Sequence, residues 1–585
     1  MKNREIANLL YEIADFLEAE NVQFKPFAYR RAAFGLESLG KDAKDIYKEE
    51  GLSGLENIPG VGKSIAEKIE EYIRKGRIKT HENLKSRMPI KMRELVSLEG
   101  LGPKKVKLLY RKLGVSDIKS LERAAKNHEI AKLEGFGEKT EKNILESVSF
   151  KKKSEGRFLT GDILEEIEEM EESLRKSEYV RRAVVAGSVR RKKETVGDAD
   201  MLVTAGNSKK AMDFFVSLPG VVKVRSRGGT KASVKTSRGF DIDLRVVPEN
   251  SFGAALQYFT GSKDHNIVLR KIAATKGLKL SEYGLFRNNK MIAGRTEEGI
   301  YRALGMKWMD PEIRENSGEI EAAIRDFKGE KPGLPRLIAH EDIKGDLHCH
   351  SSWARGANTV WEMAEACKEA GYEYFGVSDH TKFLKIEKGL DENDLRKQRL
   401  EIDRLNRELE KLGIRFAILQ GAEVNILEDG SVDIKDEALK KLDYVIAGVH
   451  SNFKMKKEGM TERIITAMKN GHVNVISHPT GRLFGKRDPY EIDFDRVLRA
   501  AKVYSVALEI NSFPERMDLN DLNIRRAREA GVKMAINTDS HQKGHLENMK
   551  AGVDQARRGW AEKKDIINSW PLPKIVQFFK KPYVS

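Results

Sequence analysis

Two cysteines in 585 residues, Cys349 and Cys367, are too few for a disulfide framework, and their scarcity points to a reducing cytoplasm. Long apolar runs are missing as well. Met1-Lys2-Asn3-Arg4 leads straight into Ile6, Leu9, Leu10, Ile13, Phe16 and Leu17 at helical spacing, an amphipathic pattern rather than a signal peptide or a membrane span. What abounds is positive charge: 106 Lys and Arg stand against 90 Asp and Glu, a net of +16 spread along the chain rather than held in one tail. That distribution favours nucleic acid over a membrane as the polyanionic partner. The length suits about three to five domains.

The densest chemistry lies between Gly187 and Asp200. Ala183-Val184-Val185-Ala186 enters a Gly187-Ser188 turn, Arg190-Arg191 follow, and Gly197-Asp198-Ala199-Asp200 runs into Met201-Leu202-Val203. On a strand, Asp198 and Asp200 would point to one face, where two carboxylates repel unless a divalent cation lies between them. Phe240-Asp241-Ile242-Asp243-Leu244 repeats the device on a second strand-like run. A lone pair of aspartates is usually a solvated strand edge. The glycine-serine turn and the second aspartate strand instead suit two divalent cations and a triphosphate.

Upstream, glycine turns recur in a basic context. Ile58-Pro59-Gly60-Val61-Gly62-Lys63, Leu98-Glu99-Gly100-Leu101-Gly102-Pro103 and Leu133-Glu134-Gly135-Phe136-Gly137-Glu138 share an apolar-x-Gly-apolar-Gly core between helical segments. This is the helix-hairpin-helix pattern, in which glycine permits close backbone approach and the free N–H groups of the second helix can meet a DNA phosphate. One such turn would be ordinary; three imply DNA binding without sequence readout.

Lys328-Gly329-Glu330-Lys331-Pro332-Gly333-Leu334-Pro335 is rich in breakers and marks a boundary. Beyond it, seven apolar strand-length runs between 342 and 537 alternate with amphipathic helices, as in a parallel barrel. Their carboxyl ends carry His348-Cys349-His350, Asp379-His380, Glu423, His450, His478 and Asp539-Ser540-His541. One histidine at a strand end is usually structural, but this many at one end call for metal ions.

Through Gly187-Ser188, Asp198-Ala199-Asp200, Asp243 and Tyr258-Phe259-Thr260-Gly261-Ser262, residues 1 to about 327 resemble the X-family DNA polymerases. The histidine pattern beyond about 340 resembles the polymerase and histidinol phosphatase (PHP) domain. Together they imply a multidomain α+β and α/β chain. A helical, lyase-like helix-hairpin-helix domain (1–85) and a second helix-hairpin-helix domain (86–150) would precede a nucleotidyltransferase palm with a mixed sheet (151–250). A thumb-like nucleotide-selection subdomain (251–327), a linker (328–340) and a distorted seven-stranded β/α PHP barrel (341–585) would follow.

The resemblance implies template-directed gap filling in DNA repair, on gapped or primed double-stranded DNA with dNTPs, by a cytoplasmic monomer. Asp198, Asp200 and Asp243 would hold two magnesium or manganese ions, Asp243 helping to activate the primer 3′-hydroxyl. Ser188 and Arg191 would bind the β- and γ-phosphates, Tyr258 and Phe259 would lie under the incoming sugar, and Gly261-Ser262 would form a cis peptide. Asn266 would contact the incoming base and Arg270 the template strand. Lys68, with Lys25 and Tyr29, matches the family's Schiff-base lysine for an abasic sugar, while Gly60, Gly62, Gly100, Gly102, Gly135 and Gly137 would meet DNA phosphates. In the barrel, His348, His350, Glu423 and Asp539 would hold one metal, Glu423, His450 and His478 a second, and His380 with His541 a third. Zinc, manganese and iron all suit such ligands, and the implied activity is a 3′-to-5′ exonuclease or 3′-end processing.

Two positions depart from the family pattern. Lys263 stands where polymerase beta has an acid, and Arg355 where PHP domains commonly place an aspartate. A guanidinium repels a cation rather than ligating it, so the third barrel site is expected to be weak. Two rival readings share the same residues: a template-independent nucleotidyltransferase, and a DNA-binding scaffold with a structural PHP module. The three hairpin turns and the Asn266 and Arg270 matches weigh against the first.

Overall fold

The computed structural model describes residues 3–580 apart from 38, 40, 41, 99, 154, 155 and 385–387, so Glu99 of the second glycine turn lies outside the described residues. The amino-terminal part is helical. Asn3–Ala19 buries Ile6, Leu10, Ile13 and Phe16 on one face and packs against Lys25–Glu37. Each such burial contributes about 1.5–3 kcal/mol. The same hydrophobic cluster continues to Val148, and the helix Lys79–Arg87 spans the boundary expected at 85, so both hairpin units share one core.

The palm is a five-stranded mixed sheet in the order Arg182–Val185, Asp198–Thr204, Asp241–Val246, Lys231–Thr236, Val221–Arg227. Asp198–Thr204 runs parallel to Asp241–Val246, with Asp198 opposite Asp241 and Asp200 opposite Asp243. Alternation along the strands sends Ala199, Met201, Val203, Ile242 and Leu244 into a core beneath the helix Thr160–Lys176, and the aspartates to the other face. On that other face Leu202 meets Phe252, Ala255 and Leu256, which seats the helix Phe252–Thr260 beside the aspartates. The peptide Gly261–Ser262 is cis and leads into the helix Lys263–Thr275.

The carboxy-terminal barrel has two parallel sheets. Gly345–Cys349, Tyr374–Val377 and Ala417–Gln420 form one, and Glu423–Asn425, Ile446–Gly448, Val475–Ile476, Ala507–Asn511 and Met534–Asn537 the other. Ala417–Gln420 and Glu423–Asn425 are halves of one crossing interrupted at Gly421-Ala422, which leaves seven staves. Single bridges from His380 to Glu423 and from Cys349 to Ser540 close the ring. Leu347, Tyr374, Tyr444 and Val475 fill the axis, and the helix Leu572–Phe579 plugs the end away from the histidines.

The connection at 328–340 is fixed rather than free. Leu337 packs with Trp560 in the thumb core, and the Ile338 amide donates to the Ala561 carbonyl at 2.9 Å. Among the described residues, no helix is long and apolar enough to cross a membrane.

Candidate functional site

In the palm, the sheet register alone brings the aspartates together. Gly187, with φ +63°, begins the short helix Gly187–Arg190, and a Cβ there would lie 2.4 Å from Asp200 Oδ2; only glycine leaves room for that carboxylate. The Ala186 amide donates to the Asp200 carbonyl at 2.7 Å, which ties the turn carrying Ser188 to the aspartate strand. Burial, then the charges of Asp198 and Asp243, push the Asp200 carboxyl up to about 6. That crowding is relieved by a cation. Lys231 supplies one in part, with Nζ 2.7 Å from Asp243 Oδ2. The all-oxygen donors and the strained Asp200 charge fit hard divalent ions.

Arg191, the expected phosphate ligand, is held from two sides: its Nε lies 3.1 Å from Glu315, and it donates to the Thr260 carbonyl just before the cis turn. Its neighbour Arg190 reaches Glu297 at 2.7 Å and Thr260 Oγ1 at 2.6 Å, and the fully buried Arg314 shares Glu297 at 2.6 Å. Asn266 is buried, its amide donating to the Tyr258 carbonyl at 2.7 Å and its oxygen accepting from Gln257 at 2.6 Å. The rings of Tyr258 and Phe259 meet edge to face, and the Arg245 guanidinium stands 4.6 Å over Phe259. Arg270 and Lys263 are exposed on the helix that follows.

The three glycine turns adopt one conformation: Gly60, Gly100 and Gly135 have φ +81°, +82° and +81°. Gly62 and Gly102 cap the helices Lys63–Lys75 and Pro103–Leu113 without a side-chain hydrogen bond, which leaves their first N–H groups open to an anion. Gly137 immediately precedes the helix Glu138–Lys153. On the first of these helices Lys68 is half-buried, donates to the Ser64 carbonyl at 2.8 Å and stands 6.0 Å from the Tyr29 ring. Burial, with Lys25 adding to it, lowers its pKa against the opposing effect of Glu67 and Glu71.

At the barrel mouth the predicted histidines and carboxylates converge. Among the described residues, three groups have ligand atoms within 4.8 Å of one another: His348, His350 and Asp539; His380, Glu423 and His450; and His350, His380 and His541. His478 joins through Nε2, 3.0 Å from Glu423 Oε1. The grouping differs in two respects from that implied by resemblance: His380 lies 2.8 Å from Glu423 as well as beside His541, and His350 belongs with His380 and His541 as well as with His348 and Asp539. Buried donor atoms left without a hydrogen-bond partner include His348 Nε2, Glu423 Oε2 and both nitrogens of His450. Such orphans cost about 1–3 kcal/mol each unless something is coordinated there, so the residues fit metal ions.

The electrostatics agree. Burial, which would raise the Glu423 carboxyl, is outweighed by His348, His450 and His380, which hold it far below the carboxylate range. Asp539 is held down in the same way by His348, His350 and Arg516. Asp539 and His478 also keep left-handed backbones, with φ +54° and +29°, a strain of about 1–3 kcal/mol each that concentrates at functional sites. Arg355, φ +60°, is exposed on the Ser351–Ala357 loop, whose Ala357 amide donates to the His541 carbonyl at 2.7 Å.

Two contributors escaped the sequence reading. Glu509, fully buried on Ala507–Asn511, accepts from His348 Nδ1 at 2.7 Å and so turns Nε2 toward the other ligands. A carboxylate within an apolar barrel strand was its signal. Lys231 gave none, because its partner depends on strand register.

Comparison with known proteins matches the same regions. Family models for a helix-hairpin-helix domain match residues 1–78, for a SAM-like helix-hairpin-helix tandem 92–149, for the DNA polymerase beta thumb 255–315 and for the PHP domain 346–513. The DNA polymerase/3′-5′ exonuclease PolX of Bacillus subtilis (strain 168) is 38% identical over 99% of this chain and 100% of its own length. DNA polymerase lambda of Rattus norvegicus is 25% identical over 54% of this chain and 56% of its own. A protein named "Probable phosphatase" from Thermoanaerobacter sp. (strain X514) is 39% identical over 28% of this chain, with 68% of its own length covered. With palm register, hairpin turns and barrel histidines in place, the full-length match assigns the chain to the X family of DNA polymerases, among the members that carry a PHP domain.

Proposed function

We propose that the palm adds deoxynucleotides to a primer 3′ end on gapped or primed double-stranded DNA, and that the barrel cleaves phosphodiesters at the 3′ end of a strand. The observation that carries the first reading is the pairing of Asp200 opposite Asp243 beside the Gly187-Ser188 turn. Two magnesium or manganese ions, held by Asp198, Asp200 and Asp243, would neutralise the transferring phosphate and lower the pKa of the primer hydroxyl. The chain's own groups do the positioning. Ser188 and Arg191 grip the outer phosphates, Phe259 and the Tyr258 carbonyl line the sugar, and Asp243 faces the attacking hydroxyl. The hairpin glycines hold the duplex by its backbone, so binding weakens steeply with salt.

In the barrel, zinc, manganese or iron would supply a nucleophile near neutral pH. Glu509 keeps His348 in the tautomer whose Nε2 faces the site, and Arg516, 3.2 Å from Asp539, balances its charge. We further propose that Lys68 attacks the aldehyde carbon of an abasic sugar, losing water to form a Schiff base; elimination would then release the phosphate. The decisive experiment incubates a gapped duplex with magnesium or manganese, with and without dNTPs, and sizes the primer strand. Extension that is lost in Asp200→Ala supports the palm reading, and extension that persists there refutes it. A template-independent enzyme would extend an unpaired primer equally well.

A further inference from the structure

The two halves of the chain meet at the nucleotide turn itself. We propose that Arg558, a residue of the barrel half, is a positioning residue for nucleotidyl transfer: it fixes Arg191 and through it the outer phosphates of the incoming nucleotide. The inference rests on the polymerase reading above and deepens it.

Arg558 ends the helix Met549–Arg558, and its side chain is only 1% exposed. One nitrogen, Nη1, donates to the Arg191 carbonyl at 2.7 Å and lies 3.2 Å from Glu315 Oε1. That same Glu315 oxygen is the one 3.1 Å from Arg191 Nε, so one carboxylate holds the phosphate-binding guanidinium and the barrel guanidinium together. Arg558 therefore grips Arg191 twice, by its backbone directly and by its side chain through Glu315. Its other terminal nitrogen is anchored in the barrel by Asp521, which fixes the direction of the fork.

The turn needs such support. Gly187–Arg190 is a single helical turn, and Lys192 follows it in the left-handed region at φ +56°. A segment this short gains little from its own hydrogen bonds. Two charged groups that follow it are held by the same barrel surface: Lys192 by Asp554 at 3.3 Å, and Glu194 by Arg482 at 2.5 Å and by Gln555. Arg557, next to Arg558, pins the turn Pro311–Ile313 that leads to Glu315, through Asp310 at 2.9 Å and Glu312 at 2.8 Å. Palm, thumb and barrel thus converge on Arg191.

Loss of Arg558 removes a charge-assisted contact that orients a group binding nucleotide in ground state and transition state alike, so KM rather than kcat should respond. In the full chain, Arg558→Ala should raise the KM for the incoming dNTP about tenfold, with kcat within about twofold, as expected for one lost charge-assisted hydrogen bond. Arg558→Lys, which keeps charge but not the fork, should fall between, and primer degradation by the barrel should stay at the wild-type rate. Glu315→Gln, nearly isosteric and in the thumb, tests the same link should Arg558→Ala fail to fold; the two changes combined should cost less than the product of their separate effects. A wild-type KM in whichever of Arg558→Ala and Glu315→Gln is folded overturns the inference. Asp200→Ala separates the two levels: if it still extends primers, the polymerase reading itself has failed, whereas a dead Asp200→Ala beside an unchanged KM sinks only the role of Arg558.

Discussion

Asp200 occupies a place where its charge is poorly tolerated, and this gives a test that needs no turnover. Burial and the neighbouring charges of Asp198 and Asp243 raise its carboxyl from 3.8 to about 6 in the metal-free protein. Between those values the native state holds more protons than the unfolded one, so the contribution of Asp200 to stability is fully present below pH 3.8 and is lost as pH rises through about 6. At about 1.4 kcal/mol per tenfold change in acidity, the penalty at pH 8 reaches about 3 kcal/mol. Asp200→Asn keeps the shape and removes the charge. In chelator at pH 8 it should therefore be more stable than wild type by up to about 3 kcal/mol, while losing primer extension altogether. The advantage should shrink toward zero near pH 4. Native-state hydrogen exchange of the amides in Asp198–Thr204 reads the opening of the palm itself rather than of the whole chain. A variant no more stable than wild type at pH 8, or an advantage independent of pH, would refute the electrostatic account of this site.

Other outcomes follow from the same geometry. His348→Ala and His450→Ala should each abolish primer degradation while extension survives, as read by primer sizing with and without dNTPs. Glu297→Gln removes the carboxylate paired with the fully buried Arg314 and should cost about 3–5 kcal/mol in denaturant unfolding at pH 7. Burial, which would raise the Glu297 carboxyl, is outweighed by Arg314 and Arg190, so its stabilising contribution is present above its ordinary value of 4.5 and fades as pH falls below it; the deficit of the variant should narrow in acid. Lys68→Ala and Lys68→Arg should both fail to form a borohydride-trapped adduct with abasic DNA, where wild type forms one.

The aspartates were readable because every signal they need is local. Period-two alternation fixes their face, and a glycine before the strand marks the turn that makes room for Asp200. The barrel histidines were readable for the same reason: each stands at the carboxyl end of an apolar run. What could not be read depends on contacts distant in sequence. Lys231 meets Asp243 only through the register of two strands, and Glu509 reaches His348 across 161 positions. The segment 328–340 reads from its glycines and prolines as a linker that allows either a fixed or a mobile arrangement, and Leu337 and Ile338 pin it between two cores. Its adjacent Leu337 and Ile338 were the faint sign of that. The boundary expected at 85 falls inside the helix Lys79–Arg87, because adjacent helical hairpins can merge their cores without any break in composition.

The two centres differ in a way that keeps their chemistries apart within one chain. The palm offers carboxylates only, beside Lys231 and Arg245, and such a site holds a hard ion weakly and with exchange, as a group that arrives with its nucleotide must be held. The barrel offers imidazoles and two strongly ionised carboxylates, mostly buried, with His348 aimed by Glu509 and Asp539 and His478 in strained backbone, a donor set that would suit tight capture of a transition metal. Arg191 and its supports lie between them, on the palm side of a surface that the barrel helix Met549–Arg558 covers. That surface touches the palm segment at several points, through Arg558 on Arg191, Asp554 on Lys192 and Arg482 on Glu194, and Arg482 also leads toward the metal-ligand candidates, since it donates to the Arg516 carbonyl at 2.8 Å and Arg516 stands 3.2 Å from Asp539. The docked surface therefore couples the two centres by separate routes, Arg558 acting on the palm and Arg482 standing between Glu194 of the palm segment and the Arg516–Asp539 pair of the barrel.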